Sequence, residues 1–544
     1  MLRQPLDADA ARDAGTAPAR RARKEAQRRR RRAGVLIPLF SIRTATGWGL
    51  GEIADISRFA SWAGRAGFSV LQLLPVNEVS GADASPYSAI SAFALDPVYL
   101  SLDECEDFIG AGGRKALPSD VQKQLEAAGA ARLVDWPSVR AIKKEAIAIA
   151  FDRFLREEWN TSSPRAAQLT SFMRENRSWL DEYALFSVLH EKFGKSWLDW
   201  PAGWRDRDPA VINAARNEHR DALLRASWTQ WQLDRQWRKA RRDADAAGIE
   251  LMGDLPFMVG VDSADVWSNR SLFQVDKHVG TPPDEFSPTG QDWGLPVYDW
   301  DALQRDEFSW IRGRSMRAGT LFSLYRLDHV IGLYRTYYRS VDGQTSGFTP
   351  GEEREQLRLG ETLMRIMGRW GEVVAEDLGT VPPFLRPSLE RLGIPGYRVL
   401  RWEKDGDRYR PPATWPTTSV ATNATHDTET TAEWYDSLSE DARAKLRELP
   451  SLTELDPGKP FDERTRDLLL AAVYGAPSTL SIVPFQDAMG TRERINVPAT
   501  VNAVNWSYRM DRTVDDLLSD QANTDRLARI AADAGRSPSN FSGT

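Results

Sequence analysis

Eight apolar stretches of strand length, most of them separated by segments with helical periodicity, constrain the fold of this 544-residue chain. Near-continuous apolar runs are typical of parallel strands that are buried on both faces of a sheet. Eight of them alternating with helices match the count of a (β/α)8 barrel. A doubly wound open sheet is the alternative, but no Gly-x-Gly-x-x-Gly motif opens a helix after the first strand. The predicted strands cover residues 34–40, 68–75, 248–254, 321–327, 372–379, 396–402, 419–427 and 480–487.

Two long segments interrupt the alternation of strands and helices. Residues 101–246 show helical periodicity and few β-branched runs, which predicts a large helical insertion subdomain after the second strand. Its many Trp residues are interpreted mainly as packing anchors. Residues 280–294 are rich in Pro and Gly and predict a long loop after the third strand. Residues 33–530 are therefore predicted to form one (β/α)8 catalytic domain, followed by a flexible C-terminal tail at 531–544.

The N-terminal residues differ in composition from the rest of the chain. Residues 1–32 carry 11 Lys and Arg against 4 Asp and Glu and end in five arginines, which predicts a disordered basic tail. Contact of this tail with an anionic surface is the less favoured alternative. The whole chain has a net charge of −6, one cysteine and no secretory or membrane-spanning apolar stretch. These features predict a cytoplasmic protein without a nucleic-acid or membrane partner.

Acidic and polar residues gather where five of the predicted strands end. In a (β/α)8 barrel the carboxyl ends of all strands face the same rim, and that rim carries the active site. Because the group lacks the His and Cys spacing of a metal site, it indicates acid–base chemistry instead. The residues are Asp254, Asp328, Glu376 with Asp377, His426 with Asp427, and Asp487.

Two carboxyl groups on either side of a glycosidic bond are what glycoside cleavage requires. Asp328 lies two residues after Arg326, whose positive charge should keep a nucleophilic carboxylate ionised. Glu376 follows an apolar strand, so burial could raise its pKa and suit it to the general acid/base role. His426 and Asp427 could bind sugar hydroxyls and stabilise positive charge at the reacting carbon.

Three segments strongly resemble the motifs of the 4-α-glucanotransferases, or amylomaltases, of glycoside hydrolase family 77, which are relatives of α-amylase. They are residues 326–329 (Arg-Leu-Asp-His), 375–379 (Ala-Glu-Asp-Leu-Gly) and 425–428 (Thr-His-Asp-Thr). The resemblance extends from about residue 34 to 517. It includes further segments in the family's order, at 85–87, 253–256, 282–284, 291–294 and 494–498.

The resemblance implies a retaining enzyme that transfers α-1,4-glucan segments between malto-oligosaccharides or to glucose, with no cofactor and no metal. It implies Asp328 as nucleophile, Glu376 as general acid/base and Asp427 as transition-state stabiliser. The implied substrate-binding residues are Tyr87, Asp254, Trp293, Arg326 and His426. Trp293 lies in a segment that resembles the family's mobile cover over the cleft.

Two other functions remain open at this point. An amylase-type α-1,4-glucan hydrolase would share the three carboxylates and differ in how well its cleft excludes water. A non-catalytic α-glucan-binding protein is disfavoured because Asp328, Glu376 and Asp427 are all present. Trp48 stands where many family members have Tyr, and this segment resembles the branch of plant cytosolic maltose-metabolising enzymes. The donor therefore stays open between maltose, maltodextrin and a glycogen-like polymer.

Overall fold

A closed barrel of eight parallel strands forms the centre of the molecule. The computed structural model describes residues 30–80, 85–283, 290–498, 500 and 502–537. Within these residues the strands are β1 (Arg32–Leu36), β2 (Val70–Gln72), β3 (Glu250–Leu255), β4 (Phe273–Thr281), β5 (Gln291–Tyr298), β6 (Leu324–Leu327), β7 (Thr336–Ser340), β8 (Ser346–Thr349), β9 (Glu372–Ala375), β10 (Gly396–Val399), β11 (Lys404–Asp405), β12 (Arg408–Tyr409), β13 (Ser419–Thr422) and β14 (Leu480–Pro484).

The barrel order is β1-β14-β13-β10-β9-β6-β3-β2, and all of these neighbours pair in parallel. Closure depends on a narrow seam at Gly34, where a Cβ atom would lie 3.0 Å from both Ile482 and Val70. Every residue of β1, β2, β6, β13 and β14 is buried, as expected for strands covered on both faces. The predicted (β/α)8 barrel is confirmed.

The α-helices of the described residues lie around the barrel and within the insertion. In chain order they are α1 (Asp55–Arg65), α2 (Glu106–Gly110), α3 (Ser119–Ala130), α4 (Trp136–Phe154), α5 (Pro164–Glu175), α6 (Arg177–Phe193), α7 (Ala202–Arg205), α8 (Pro209–Glu218), α9 (Arg220–Ala246), α10 (Ala264–Ser268), α11 (Trp300–Arg305), α12 (Ser309–Leu321), α13 (Ile331–Tyr334), α14 (Glu353–Met367), α15 (Leu385–Leu392), α16 (Thr431–Ser437), α17 (Glu440–Arg447), α18 (Glu463–Gly475), α19 (Phe485–Met489), α20 (Val514–Ser519) and α21 (Gln521–Asp533). None of them is long and apolar enough to cross a membrane.

The segment between β2 and β3 is helical and packs against the barrel through its aromatic residues. Helices α2 to α9 fill it, and Trp197, Trp228 and Trp237 are almost completely buried. The Trp237 indole N–H donates to the carbonyl of Leu321 at the end of α12, 2.8 Å away. These tryptophans act as packing anchors because they bury large apolar rings, and Trp197 and Trp237 also satisfy their indole N–H groups with backbone carbonyls.

Strands occur where the sequence predicted a loop after β3. Strands β4 and β5 pair antiparallel and join β7 and β8 in a four-stranded sheet of order β5-β4-β7-β8. Residues 284–289 of the predicted loop lie outside the described residues. Gly280 permits the close pairing of the hairpin, since a Cβ atom there would meet the carbonyl oxygen of Gln291 at 1.9 Å. Pro and Gly in this segment correctly indicated a turn, but because both are infrequent in strands they also argued against the paired strands on either side of it.

The N-terminal rim of the barrel is closed by two arginines. Strand β1 begins at Arg32, within the tail predicted for 1–32, and residues 1–29 lie outside the described residues. Arg32 bridges Glu250 at 2.9 Å and Glu372 at 2.6 Å, at the first residues of β3 and β9. Arg536 is fully buried, although residues 531–544 were predicted to be a flexible tail.

Arg536 is held in place, contrary to the predicted flexible tail, because its guanidinium donates hydrogen bonds to four backbone carbonyls near the junction of β1 and β14. It donates to Tyr474 and Ala476 at 2.7 Å, Ser478 at 2.9 Å and Arg32 at 3.0 Å. Helix α21 also continues to Asp533, beyond the predicted domain end at 530.

Candidate active site

A cavity of about 220 Å³ opens at the carboxyl ends of the barrel strands. Its walls include Arg326 from β6 and four residues that follow strands, namely Asp328, Glu376, His426 and Asp427. The three carboxylates that the sequence predicted as catalytic therefore lie in one cavity, although they are separated by up to 99 positions in the chain. This convergence follows from the parallel barrel, which brings all strand ends to one rim.

Arg326 forms a buried bridge between two of the predicted site residues. Its guanidinium contacts both carboxyl oxygens of Asp254 at 2.8 Å and one oxygen of Asp328 at 2.8 Å. Burial lowers the pKa of Arg326, but the charges of Asp254 and Asp328 raise it well above its ordinary value. Burial also raises the pKa of Asp254 above its ordinary value, and the positive charge of Arg326 reduces that rise. Arg326 thus carries a permanent charge that fixes the Asp328 carboxyl group at the cavity wall.

Glu376 is held by two backbone N–H groups inside the same cavity. The amides of His329 and Leu378 donate to its two carboxyl oxygens, each at 2.9 Å. Burial raises the pKa of Glu376 to about 7, and the charge of Asp328 adds to the rise, while Arg326 and the two N–H donors oppose it. A carboxyl group with this pKa can both donate and accept a proton near neutral pH.

His329 has a left-handed backbone, with φ of 43°, directly after the predicted nucleophile. Histidine is one of the few residue types besides glycine that adopt this region with some frequency. The His329 ring packs edge-on against Trp293, with ring centroids 4.9 Å apart, and against Phe257. Burial lowers the pKa of this imidazole to about 4, so it is neutral at pH 7. One residue therefore links Glu376, through its backbone, to the β4–β5 hairpin, through its ring.

Trp293 lies in β5, not in a loop as the sequence predicted. Its side chain is half-buried, and its indole N–H donates to Gln291 at 3.0 Å. The contact with His329 places this tryptophan beside the predicted catalytic residues.

His426 and Asp427 form an ion pair at the opposite wall. The His426 Nε2 atom lies 3.1 Å from Asp427, and Asn496 donates to the other Asp427 oxygen at 2.7 Å. Burial lowers the pKa of His426, but the charge and hydrogen bond of Asp427 raise it by more, so the pKa lies above its ordinary value. Burial raises the pKa of Asp427, yet His426 and then Asn496 bring it far below its ordinary value. Asp427 is therefore an anion at any working pH.

Tyr87 joins the two walls of the site. Its hydroxyl lies 2.9 Å from Asp254 and 3.0 Å from Nε2 of His426, and its ring stacks on His426 at an interplanar angle of 14°. Burial raises the pKa of Tyr87 well above its ordinary value, so the hydroxyl remains protonated. Of the five predicted substrate-binding residues, Arg326 contacts Asp328 and His426 contacts Asp427 directly. Tyr87 and Asp254 are linked to these carboxylates through Arg326 and His426, and Trp293 is linked through His329.

Two other acidic residues that the sequence placed at strand ends are not among those that line the cavity. Asp377 accepts the backbone N–H of Tyr397 at 2.6 Å and pairs with Arg386 at 3.0 Å. Asp487 accepts both the backbone N–H and the hydroxyl of Thr431, at 2.7 and 2.6 Å, at the start of α16. Asp377 follows β9 as predicted, whereas Asp487 lies in α19, after the end of β14 at Pro484. The hydrogen bonds of both residues hold other elements together.

Sequence reasoning missed several residues that contribute to the cavity. Gln72, Tyr397 and Trp402 line it, and Trp402 keeps about half of its surface exposed. Asn496 belongs to the 494–498 motif, which did not by itself indicate its contact with Asp427. Trp402 at the end of an apolar run could have been recognised as a candidate, whereas Gln72 and Tyr397 resemble ordinary strand residues. In the part of the chain that the structure describes, no three His, Cys, Asp or Glu residues are grouped to hold a metal ion.

Comparisons with known proteins give consistent results. The family model described as 4-alpha-glucanotransferase matches residues 37–514. The 4-alpha-glucanotransferase of Chlamydia pneumoniae is 32% identical over 89% of this chain and 92% of its own length. That of Thermus thermophilus is 33% identical over 84% and 90%.

Two solved structures share the fold. The amylomaltase of Streptococcus agalactiae aligns with a TM-score of 0.81 and 24% identity, covering 93% of this chain and all of that one. The amylomaltase of Corynebacterium glutamicum aligns with a TM-score of 0.73 and 20% identity, over 94% and 76%. From the family model and the curated relatives, the chain belongs to the 4-alpha-glucanotransferases of glycoside hydrolase family 77.

Proposed function

We propose that this 4-alpha-glucanotransferase works by double displacement with retention of configuration, using Asp328, Glu376 and Asp427. The observation that carries the proposal is the pairing of Glu376, with a pKa of about 7, and Asp328, fixed by Arg326, in one cavity. A protonated carboxyl and an anchored carboxylate are the two groups that a retaining glycosidase needs.

In the first step Asp328 attacks the anomeric carbon of the donor while Glu376 gives its proton to the departing glycosidic oxygen. The bond to the leaving sugar breaks, and a covalent glucosyl ester on Asp328 forms. In the second step Glu376, now ionised, takes the proton from a hydroxyl of the acceptor sugar, which displaces Asp328. Atoms and protons balance, and the enzyme returns to its starting state.

The remaining site residues bind the donor and stabilise charge. Asp427 is an anion that can stabilise the positive charge of the oxocarbenium-like transition state. Tyr87, Asp254, Arg326 and His426 form a connected polar wall suited to sugar hydroxyls, and Trp293 offers an aromatic face for stacking. The donor is a malto-oligosaccharide or α-glucan, and the acceptor is another such chain or glucose.

The test is incubation of the purified protein with maltotriose, followed by chromatography of the products. Transfer gives a ladder of longer oligosaccharides together with maltose and glucose. A mixture of glucose and maltose alone would instead support an amylase-type hydrolase. The variant Asp328→Asn keeps the size of the side chain but removes the nucleophile, so it should form no ladder; an unchanged ladder would refute the assigned role.

We also propose a cytoplasmic location and a role in maltodextrin or glycogen metabolism. The support is the substrate class of the family together with a single cysteine, Cys105, which is buried and unpaired. Cell fractionation with an antibody against the chain tests the location, and recovery in an extracellular fraction would contradict it.

A further inference from the structure

The inner end of the active-site cavity is polar, although it lies inside the barrel. Gln72 is the last residue of β2, and Tyr397 is the second residue of β10. Both line the cavity, and they are only 1% and 5% exposed. Tyr397 lies within its strand, whereas Asp328, Glu376 and Asp427 follow theirs, so Tyr397 is deeper in the barrel than the carboxylates.

These two side chains have hydrogen-bonding groups that the protein leaves unused. The amide oxygen and nitrogen of Gln72 and the hydroxyl of Tyr397 make no hydrogen bond of good geometry with any described residue. The Gln72 amide does face the Tyr397 hydroxyl, but one such contact uses only part of its capacity. Buried polar groups are normally satisfied, because one without a partner has lost its hydrogen bonds to water and gained none in return, so each of them calls for an explanation.

A sugar hydroxyl matches the unused groups. It can donate to the Gln72 carbonyl oxygen and accept from the Gln72 N–H or the Tyr397 O–H. Burial raises the pKa of Tyr397 far above its ordinary value, so the hydroxyl remains protonated and available as a donor. The neighbouring lining residues Leu36 and Ile482 are apolar. Two other strand residues of the lining already have partners, because the Thr422 hydroxyl donates to the carbonyl of Ala424 and Arg326 is paired with Asp254 and Asp328. Gln72 and Tyr397 therefore offer the unused hydrogen-bonding groups at this depth.

We propose that Gln72 and Tyr397 bind one hydroxyl group of the glucosyl unit that is transferred, and so select donors that carry it. The proposal rests on the proposed function, because it takes the cavity beside Asp328 as the place of that glucosyl unit. Sites built to hydrogen-bond a hydroxyl reject analogues that lack it, since the protein groups are then left unpaired.

The experiment pairs variants with altered donors. Fluoride release is measured from α-glucosyl fluoride and from its 2-, 3-, 4- and 6-deoxy derivatives, with maltose as acceptor. Tyr397→Phe removes only the hydroxyl, and Gln72→Met keeps the side-chain length. Tyr474→Phe and Gln486→Met are matched controls, because both residues are 1% exposed with unpartnered polar atoms and neither lines the cavity.

With the complete donor, each of the two cavity variants should lose about tenfold in kcat/KM, the size expected for one buried hydrogen bond. For one deoxy donor, the same for both variants, that loss should disappear, because the substrate already lacks the partner. The ratio between donors is measured within each variant, so a reduced fraction of folded enzyme does not alter it.

Three results would overturn the proposal: an equal loss with all five donors, no loss with any donor, or the same donor dependence in the control variants. An equal loss would assign Gln72 and Tyr397 to barrel stability alone. Failure of the unmodified enzyme to form glucan products from α-glucosyl fluoride would instead count against the proposed function itself.

Discussion

Replacing Glu376 by Gln separates the proton-transfer role that we propose for this residue from its place in the fold. Glutamine keeps the size of the side chain, and its single carbonyl oxygen can still accept the N–H of either His329 or Leu378, which donate to different oxygens of Glu376. It cannot give a proton to the glycosidic oxygen. General acid–base groups contribute about 10²- to 10⁴-fold, so maltotriose transfer should fall by that factor.

The pH dependence of kcat/KM gives a second expected effect of known size. With a pKa of about 7, Glu376 is mostly protonated at pH 6 and mostly ionised at pH 8. The first step needs the protonated form, so kcat/KM for maltotriose should fall about tenfold for each pH unit above 7. Fluoride leaves without a proton, so kcat/KM for α-glucosyl fluoride should lack this alkaline decrease.

The decisive assay combines the Glu376→Gln variant with α-glucosyl fluoride and sodium azide. Azide attacks without losing a proton, so neither step then needs Glu376. We expect fluoride release to recover, with α-glucosyl azide as the product seen by proton NMR. A β-azide would refute the double displacement, and recovery of maltotriose transfer without azide would refute the acid/base role.

Stability provides an independent check on the same pKa. A rise from the ordinary value of 4.5 to about 7 corresponds to roughly 3 kcal/mol at about 1.36 kcal/mol per unit. Since the pKa is raised on folding, this stability is complete below about pH 4.5 and is lost as the pH rises through 7. Urea unfolding should therefore show the parent losing roughly 3 kcal/mol relative to Glu376→Gln between pH 4.5 and pH 8, because the N–H that Gln leaves unpaired costs the same at both pH values. A stability difference that does not change with pH would mean that Glu376 titrates normally.

Three further changes test other parts of the structure. Asp427→Asn removes the anion paired with His426 and should lower kcat at least about a hundredfold with a smaller change in KM, measured by maltotriose kinetics; a change confined to KM would contradict transition-state stabilisation. Lys143→Met leaves the buried Glu52 without its partner and should lower the free energy of unfolding by about 3–5 kcal/mol, measured in urea at pH 8. The double variant Lys143→Met with Glu52→Leu should recover most of that stability. A double variant as unstable as the single one would contradict this explanation. Arg536→Met leaves the carbonyls of Ser478 and Arg32 without this donor, while those of Tyr474 and Ala476 keep Arg31, and it should cost roughly 2–4 kcal/mol without changing KM. An unchanged urea midpoint would contradict its anchoring role.

The sequence by itself determined the barrel and the identity of the carboxylates in the cavity. Strand length, apolar continuity and helical periodicity are local properties, and eight such units allow few architectures. Parallel strands must also bring their carboxyl ends to one rim. For this reason the sequence alone predicted that Asp328, Glu376 and Asp427 lie close together.

Only the tertiary structure decided where each side chain points and what it contacts. Asp377 comes directly after Glu376 at the end of β9, yet its partners on neighbouring elements turn it to a structural role. Asp487 lies in α19 instead of at the strand end that the sequence predicted, and it holds the start of α16. Gln72 and Tyr397 became candidates only because the barrel buries them without partners. The position of a residue relative to its strand determines which rim of the barrel it reaches. The direction of its side chain and its pKa are determined by hydrogen bonds and charges from residues distant in the sequence, and these contacts form only in the closed barrel.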